Sequence, residues 1–221
     1  MRYIYGTSYS DSITASLYDN YTIYGYGGND TLRGGALADT ILGGTGSDTI
    51  YGNGGNDRLY GEAGNDRLYG GSGADLVSGG DGNDNAYGDS GNDSVFGGYG
   101  YDYVSGGDGN DRVDGGANDD TVLGGAGNDR VNGGSGDDDL WGGSGYDTFQ
   151  FADGGGFDIV YDFQVGIDRV ELNLADVWDF SDVEFYMDQF GADTVLDFGN
   201  EVLVLQNVDA WTLDSSDFVI L

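Results

Sequence analysis

Between residues 25 and 150 an apolar side chain recurs at every ninth position with no insertion or deletion: Leu32, Ile41, Ile50, Leu59, Leu68, Val77, Ala86, Val95, Val104, Val113, Val122, Val131, Leu140 and Phe149. The residues on either side of each are mostly polar or outward-tolerant, which predicts a very short strand with the central side chain pointing inward. The residues leading into each strand follow GGxGxD, too rich in glycine for a helix or a strand interior, and predict a turn. One block is therefore a turn plus a strand, half of a coil. Two blocks give an 18-residue coil with a turn on each side, and coils stacked about 4.8 Å apart pair their strands in parallel. Seven such coils form a slab roughly 34 Å long.

The fourteen blocks keep Gly at position 1 and Asp at position 6 throughout, as in GGTGSDTIY (43–51) and GGDGNDRVD (106–114). On one side of the slab Asp30, Asp48, Asp66, Asp84, Asp102, Asp120 and Asp138 stack in a column; on the other stand Asp39, Asp57, Asp75, Asp93, Asp111, Asp129 and Asp147. Glycines recur at position 1 (Gly43, Gly52, Gly61, Gly70, Gly79, Gly88, Gly97, Gly106, Gly115, Gly124, Gly133, Gly142) and at position 4 (Gly28, Gly46, Gly55, Gly64, Gly73, Gly82, Gly91, Gly100, Gly109, Gly127). At positions 1, 2 and 4 they are expected to supply positive φ and close backbone approach. Leu37 and Asn118 replace Gly at position 4, where the turn is expected to strain and a site to weaken. Tyr26, Asn53, Glu62 and Asp89 replace it at position 2, where only a carbonyl is wanted.

Upstream, Ile4, Ile13, Ile23 and Leu32 follow at spacings of nine, ten and nine, so residues 1–24 form a degenerate, Tyr-rich cap on the roll of residues 25–150. From residue 151 glycine thins out and DIVYDF, DRVELNL, DVEFYM, DTVLDF and EVLVLQ predict short strands. The expected fold is all-β, a parallel roll followed at 151–221 by a small antiparallel sandwich with its own core.

Charge narrows the chemistry. Against 40 acidic residues stand 7 cations, all Arg, and there is no His or Cys, for a net charge of −33. That excludes Ser-His-Asp and Cys-His nucleophiles, zinc sites built on N and S ligands, and lysine-based phosphate or Schiff-base chemistry. It also argues against nucleic acid and anionic membrane as partners. No apolar run approaches the roughly 20 residues of a membrane span, and the first thirty residues hold no apolar stretch of about seven or more such as a signal peptide carries. Paired carboxylates could serve a glycosidase, but one Asp per turn in columns is better explained by ion binding, and no enzymatic activity is expected. DGNDNA at 81–86 fails as an EF-hand, lacking Gly at loop position 6 and Glu at the last.

A divalent cation fits. Stacked carboxylates about 4.8 Å apart repel one another, and a core one side chain thick is a weak counterweight. Ca²⁺ accepts six to eight oxygens, carbonyls included, in flexible geometry, whereas Mg²⁺ prefers a tighter octahedron and keeps its water. One ion between successive turns gives six sites per side, at most about twelve, and would move the net charge from −33 to about −9.

The nonapeptide resembles the RTX (repeats-in-toxin) calcium-binding repeat. The resemblance implies a parallel β-roll in which each ion takes carbonyls of positions 2 and 4 and the Asp of one turn, with carbonyls of positions 1 and 3 and the Asp of the turn 18 residues on. One such set is Gly107, Gly109 and Asp111 with Gly124, Ala126 and Asp129. The segment DTFQF followed by FDIVYDFQVGIDRVELN is similar to the junction between roll and C-terminal secretion domain in serralysin-type proteases, and Asp217–Leu221 resembles the end of their secretion signals. The resemblance implies export through a type I secretion apparatus from a low-calcium cytosol, with folding in external Ca²⁺. The alternative is a secreted adhesin or surface-matrix protein in which the outward row Arg33, Tyr51, Tyr69, Tyr87, Ser105, Leu123, Trp141 binds carbohydrate or another copy of the chain.

Overall fold

The computed structural model describes residues 2–152 and 154–221; Met1, at the start of the expected cap, and Asp153, in the expected second domain, lie outside the described residues. The chain winds as a two-sheet solenoid. Odd-numbered half-coils build an 11-stranded sheet and even-numbered ones most of a 12-stranded sheet, and within the roll each strand pairs in parallel with the strands one coil before and after it. The register is eighteen residues, so that Val77, Val95, Val113, Val131 and Phe149 stand in line in one sheet and Leu68, Ala86, Val104, Val122 and Leu140 in the other. All fourteen predicted inward residues are completely buried.

The strands are longer than the sequence predicts. Typical ones run for six residues, Arg67–Ser72 or Tyr103–Asp108, from position 7 through position 3 of the next block. Pairing covers positions 7–9, skips the glycine at position 1, and resumes at positions 2 and 3, as in Tyr87↔Tyr69 followed by Asp89↔Gly71. The position-1 glycine thus bends the strand without ending it.

The segment upstream of residue 25 continues the same ladders. Arg2–Tyr5 pairs with Tyr21–Gly27 and Ser12–Thr14 with Thr31–Arg33, placing Ile4 beside Ile23 and Ile13 beside Leu32. Beyond residue 150, Phe157–Val160 and Val202–Leu205 extend the 12-stranded sheet in parallel, while Arg169–Asn173 and Phe218–Ile220 extend the 11-stranded one. Among the described residues antiparallel pairing is confined to the end, where Met187–Phe190, Asp193–Asp197 and Val202–Leu205 form a meander. The antiparallel layer therefore grows directly from the roll's own sheet, because Val202–Leu205 is shared between both modes of pairing.

One predicted strand is a helix. DVEFYM falls largely within Phe180–Tyr186, whose N-cap Asp179 accepts the amide of Ser181 and whose third residue Asp182 closes a capping box; Val183 is its buried contact. The local alternation of apolar residues suggested a strand, but the Asp-Phe-Ser-Asp start supplies the capping partners that a helix N-terminus lacks. Among the described residues no helix is long and apolar enough to cross a membrane.

Candidate metal centre

The register brings the fourteen position-6 carboxylates into two columns, one per side, and every one is buried, 1–4% exposed. Within a column each Oδ1 accepts a backbone N–H from one coil earlier, that of Tyr21 at Asp39 (2.6 Å) and that of the preceding Asp elsewhere: Asp48 from Asp30 at 2.7 Å, Asp66 from Asp48 at 2.7 Å, Asp111 from Asp93 at 2.8 Å. The second oxygen is different. Oδ2 of Asp30, Asp48, Asp57, Asp66, Asp75, Asp84, Asp93, Asp102, Asp111, Asp120, Asp129, Asp138 and Asp147 is buried with no hydrogen-bond partner. An anionic oxygen withdrawn from water without a donor is costly. Thirteen in two files form an oxygen donor set suited to cations.

The turn backbone is shaped around these oxygens. A Cβ on Gly106 would lie 2.5 Å from Asp111 Oδ2 and 2.5 Å from the carbonyl oxygen of Gly124, and the same crowding by the Asp five residues on recurs at position 1 from Gly43 to Gly142. Position 1 is therefore glycine for space; unlike positions 2 and 4, it does not take positive φ. At position 4 the predicted glycines have φ from +100° to +144°. Tyr26, Asn53, Glu62 and Asp89 at position 2, and Asn118 at position 4, adopt φ of +71° to +78° as well. A side chain in that region costs on the order of 1 kcal/mol or more, so these substitutions matter more than a carbonyl-only role implied. Asn53 gains one compensation, an Nδ2–H bond to the Gly34 carbonyl at 2.9 Å.

Asp39 departs from its column. Its Oδ2 accepts the N–H of Gly35 at 2.6 Å. Leu37 stays out of the positive-φ region that Gly and Asn occupy at position 4, and Gly35 stays out of the one that the other position-2 residues occupy, so the turn folds back onto its own carboxylate. Asp11 and Asp168 are closed in the same way, by the amides of Thr7 (2.6 Å) and Gln164 (2.8 Å).

Burial, opposed by the amide bond to Oδ1 and reinforced by neighbouring carboxylates, raises the carboxyl pKa to about 7 at Asp57 and Asp129 and to about 8 at Asp120. Among the described residues no three acidic side chains gather at one point. The arrangement offers one carboxylate per turn with glycine carbonyls beside it, an oxygen-only set suited to a hard cation of high coordination number.

Three features escaped the sequence reading. Gly154–Asp158 is a further turn of the same kind: Gly154 and Gly156 have φ of +96° and +104°, and the buried Asp158 accepts the Asp138 amide at 3.0 Å. Its spelling, GGGFD, was hidden because Phe151 and Ala152 interrupt the period. Second, position 5 carries its own ladder, Asn92 Oδ1 accepting the Asn110 amide (2.9 Å) and Asn110 Oδ1 that of Asn128 (2.8 Å). Third, Glu201 and Asp162 close the far end, Glu201 taking the amides of Gly154 and Gly156 and Asp162 those of Gly142 and Gly143.

The model of the RTX calcium-binding nonapeptide repeat matches at residues 5–41, 33–68, 51–86, 60–95, 87–122 and 114–149, which together span 5–149 without a gap. The chain belongs to the RTX calcium-binding repeat family. No curated protein sequence matches the chain. Among solved structures the RTX chain is similar to the crystal structure of the extracellular lipase LipA from Serratia marcescens, with 19% identity and a TM-score of 0.39 over 89% of this chain and 40% of the lipase. It is also similar to the solution structure of the AlgE6R3 subunit of the Azotobacter vinelandii mannuronan C5-epimerase, with 20% identity and a TM-score of 0.26 over 83% of this chain and 78% of that one. The chain thus spans less than half the length of the lipase.

The outward aromatic row on the RTX roll is packed against itself. Arg33 lies 4.0 Å over the ring of Tyr51, and Tyr51, Tyr69 and Tyr87 stack at 5.0 and 5.1 Å with near-parallel planes. Trp141 stacks on Tyr161 at 4.4 Å.

Proposed function

We propose that this chain is an extracellular calcium-binding β-roll module, exported unfolded by a type I apparatus and closed afterwards by Ca²⁺ held between successive turns. The observation that carries this reading is the two files of partnerless carboxylate oxygens. Residues 25–150 are the ion-binding unit, residues 1–24 its first coil and residues 151–221 its closing layer. Each ion draws on the Asp of adjacent turns in a column, Asp111 and Asp129 for example, together with carbonyls of the intervening glycines. Bound there, Ca²⁺ supplies charge neutralisation and a bridge between coils. The chain's own part is structural: glycines leave room, Oδ1 fixes the spacing of the coils, and Oδ2 is left for the ion. No reaction is assigned to the carboxylates, and the RTX repeat itself is a calcium-binding motif. Carbohydrate binding by the Tyr row is the weaker proposal, because the inner rings turn their faces toward one another.

The seven open carboxylates from Asp30 to Asp138 leave six gaps and the six from Asp57 to Asp147 leave five. Calcium bound by the dialysed, reloaded protein is therefore expected at about eleven ions per chain, one fewer than the sequence alone suggests. Asp57→Asn is expected to lower the count, Asp39→Asn to leave it unchanged, and Leu37→Gly to raise it by one. Equal losses from Asp39→Asn and Asp57→Asn, read by equilibrium dialysis, would remove the distinction between open and closed turns.

Export is tested separately. Removing Asp217–Leu221 is expected to abolish appearance of the chain in the medium while the purified, truncated protein still gains β structure with Ca²⁺. Undiminished secretion of the truncated chain would count against the signal.

A further inference from the structure

Residues 170–221 contain twelve acidic residues and no Lys or Arg. Within them the helix Phe180–Tyr186, the strand Met187–Phe190 and the 3-10 turn Ala210–Thr212 enclose a groove of about 290 Å³. Its apolar lining is Phe180, which rests on Phe218 with ring centroids 5.5 Å apart, together with Met187 and the buried Leu213. Trp211 also lines it and is 89% exposed. Its backbone is nevertheless fixed: Asp209 Oδ1 accepts the Trp211 amide at 3.1 Å and Gln189 Oε1 accepts the neighbouring Ala210 amide at 2.7 Å. Glu184 and Asp188 complete the lining and are exposed. Phe185 and Phe190, on the same helix and strand, are likewise uncovered.

An indole left in water on a fixed backbone adds little to the fold, and exposed aromatics beside an apolar groove mark a surface that another molecule covers. We propose that this groove docks a cationic amphipathic helix of a partner protein. Its apolar face lies on Phe180, Met187 and Leu213, its Lys or Arg side chains meet Glu184 and Asp188, and one cation lies against the face of Trp211. Charge complementarity selects this occupant, and it persists when the roll is loaded. The groove's carboxylates are solvated surface groups outside the two columns, so ions bound in the roll leave them negative.

The test uses the full chain in saturating Ca²⁺ and a synthetic amphipathic helical peptide of Lys and Leu, with binding read by titration calorimetry at physiological salt. One-to-one binding is expected, weakened about tenfold by Trp211→Ala and by the double substitution Glu184→Gln, Asp188→Asn. Tyr101→Ala and Asp119→Asn, exposed substitutions on the roll at position 5, are expected to leave it within about twofold. A scrambled peptide of the same composition, which cannot form an apolar face, is expected to bind at least about tenfold more weakly. Unchanged thermal melting shows that the exposed substitutions leave the fold intact. Equal affinity for all variants and both peptides would reduce the interaction to general polyanion attraction and overturn the proposal. So would absence of peptide binding, including the case in which the chain binds phosphatidylcholine or phosphatidylserine vesicles instead.

Discussion

Stripped of divalent ions at neutral pH, the chain is expected to lose most of its far-UV β signal, and Ca²⁺ is expected to restore it in one cooperative transition. Thirteen carboxylate oxygens are buried without donors, and each neighbouring pair of ionised groups adds repulsion within a column. At a hundredfold excess over its Kd, each bound ion contributes about 2.7 kcal/mol to the folded form, and the sites add along the roll. Protons work in the same direction. Burial lifts the carboxyl pKa from 3.8 to about 6 at Asp66, about 7 at Asp84 and about 8 at Asp120. A group whose pKa is higher folded than unfolded binds its proton more tightly in the fold, so the metal-free roll loses stability as pH rises from about 4 to about 8. In chelator, β content is therefore expected to recover as the solution is acidified across that window. A chelated protein at neutral pH with the spectrum and melting temperature of the loaded one would sink the account.

Gly109→Ala is expected to lower the stability of the loaded protein by at least about 3 kcal/mol, and Gly199→Ala by only about 1 kcal/mol. Both glycines have positive φ, +144° and +95°, so both substitutions carry a backbone penalty. They differ in what the new methyl meets. At Gly109 it would fall inside the carbonyl group of Gly91 on the preceding coil, whereas at Gly199 there is nothing within 4 Å. The steric term forces two coils apart at a point where the Gly109 amide also bonds the Ala126 carbonyl, 2.7 Å away on the following coil. Denaturant midpoints for the two variants measure the difference, and equal losses would mean that coil-to-coil contact at position 4 does not limit stability.

The core and the two carboxylate files were legible because a strict period fixes which residues share a line, and one buried side chain per half-coil leaves no alternative register. What the period could not show were effects of backbone direction. Leu37 is a misfit in the period, but that its turn hands the Gly35 amide to Asp39 depends on φ at Gly35 and Leu37. The turn at Gly154–Asp158 was missed for the opposite reason, since two extra residues shift it out of phase while its geometry stays the same. The helix Phe180–Tyr186 shows the limit of reading alternation alone: its start is set by the side chains of Asp179 and Asp182, which an apolar pattern does not weigh.

The eighteen-residue register carries an evolutionary consequence. Because each residue touches its equivalents one coil away, as Val104 touches Ala86 and Val122, duplicating or deleting two consecutive repeats presents every surviving side chain with the same kind of neighbour. A single-repeat change would instead exchange the two sheets downstream, setting the line of Tyr51, Tyr69 and Tyr87 against that of Leu42, Tyr60 and Ser78. Lineages of this architecture can therefore lengthen or shorten in even steps without redesigning any contact, while odd steps require both outer faces to adapt at once.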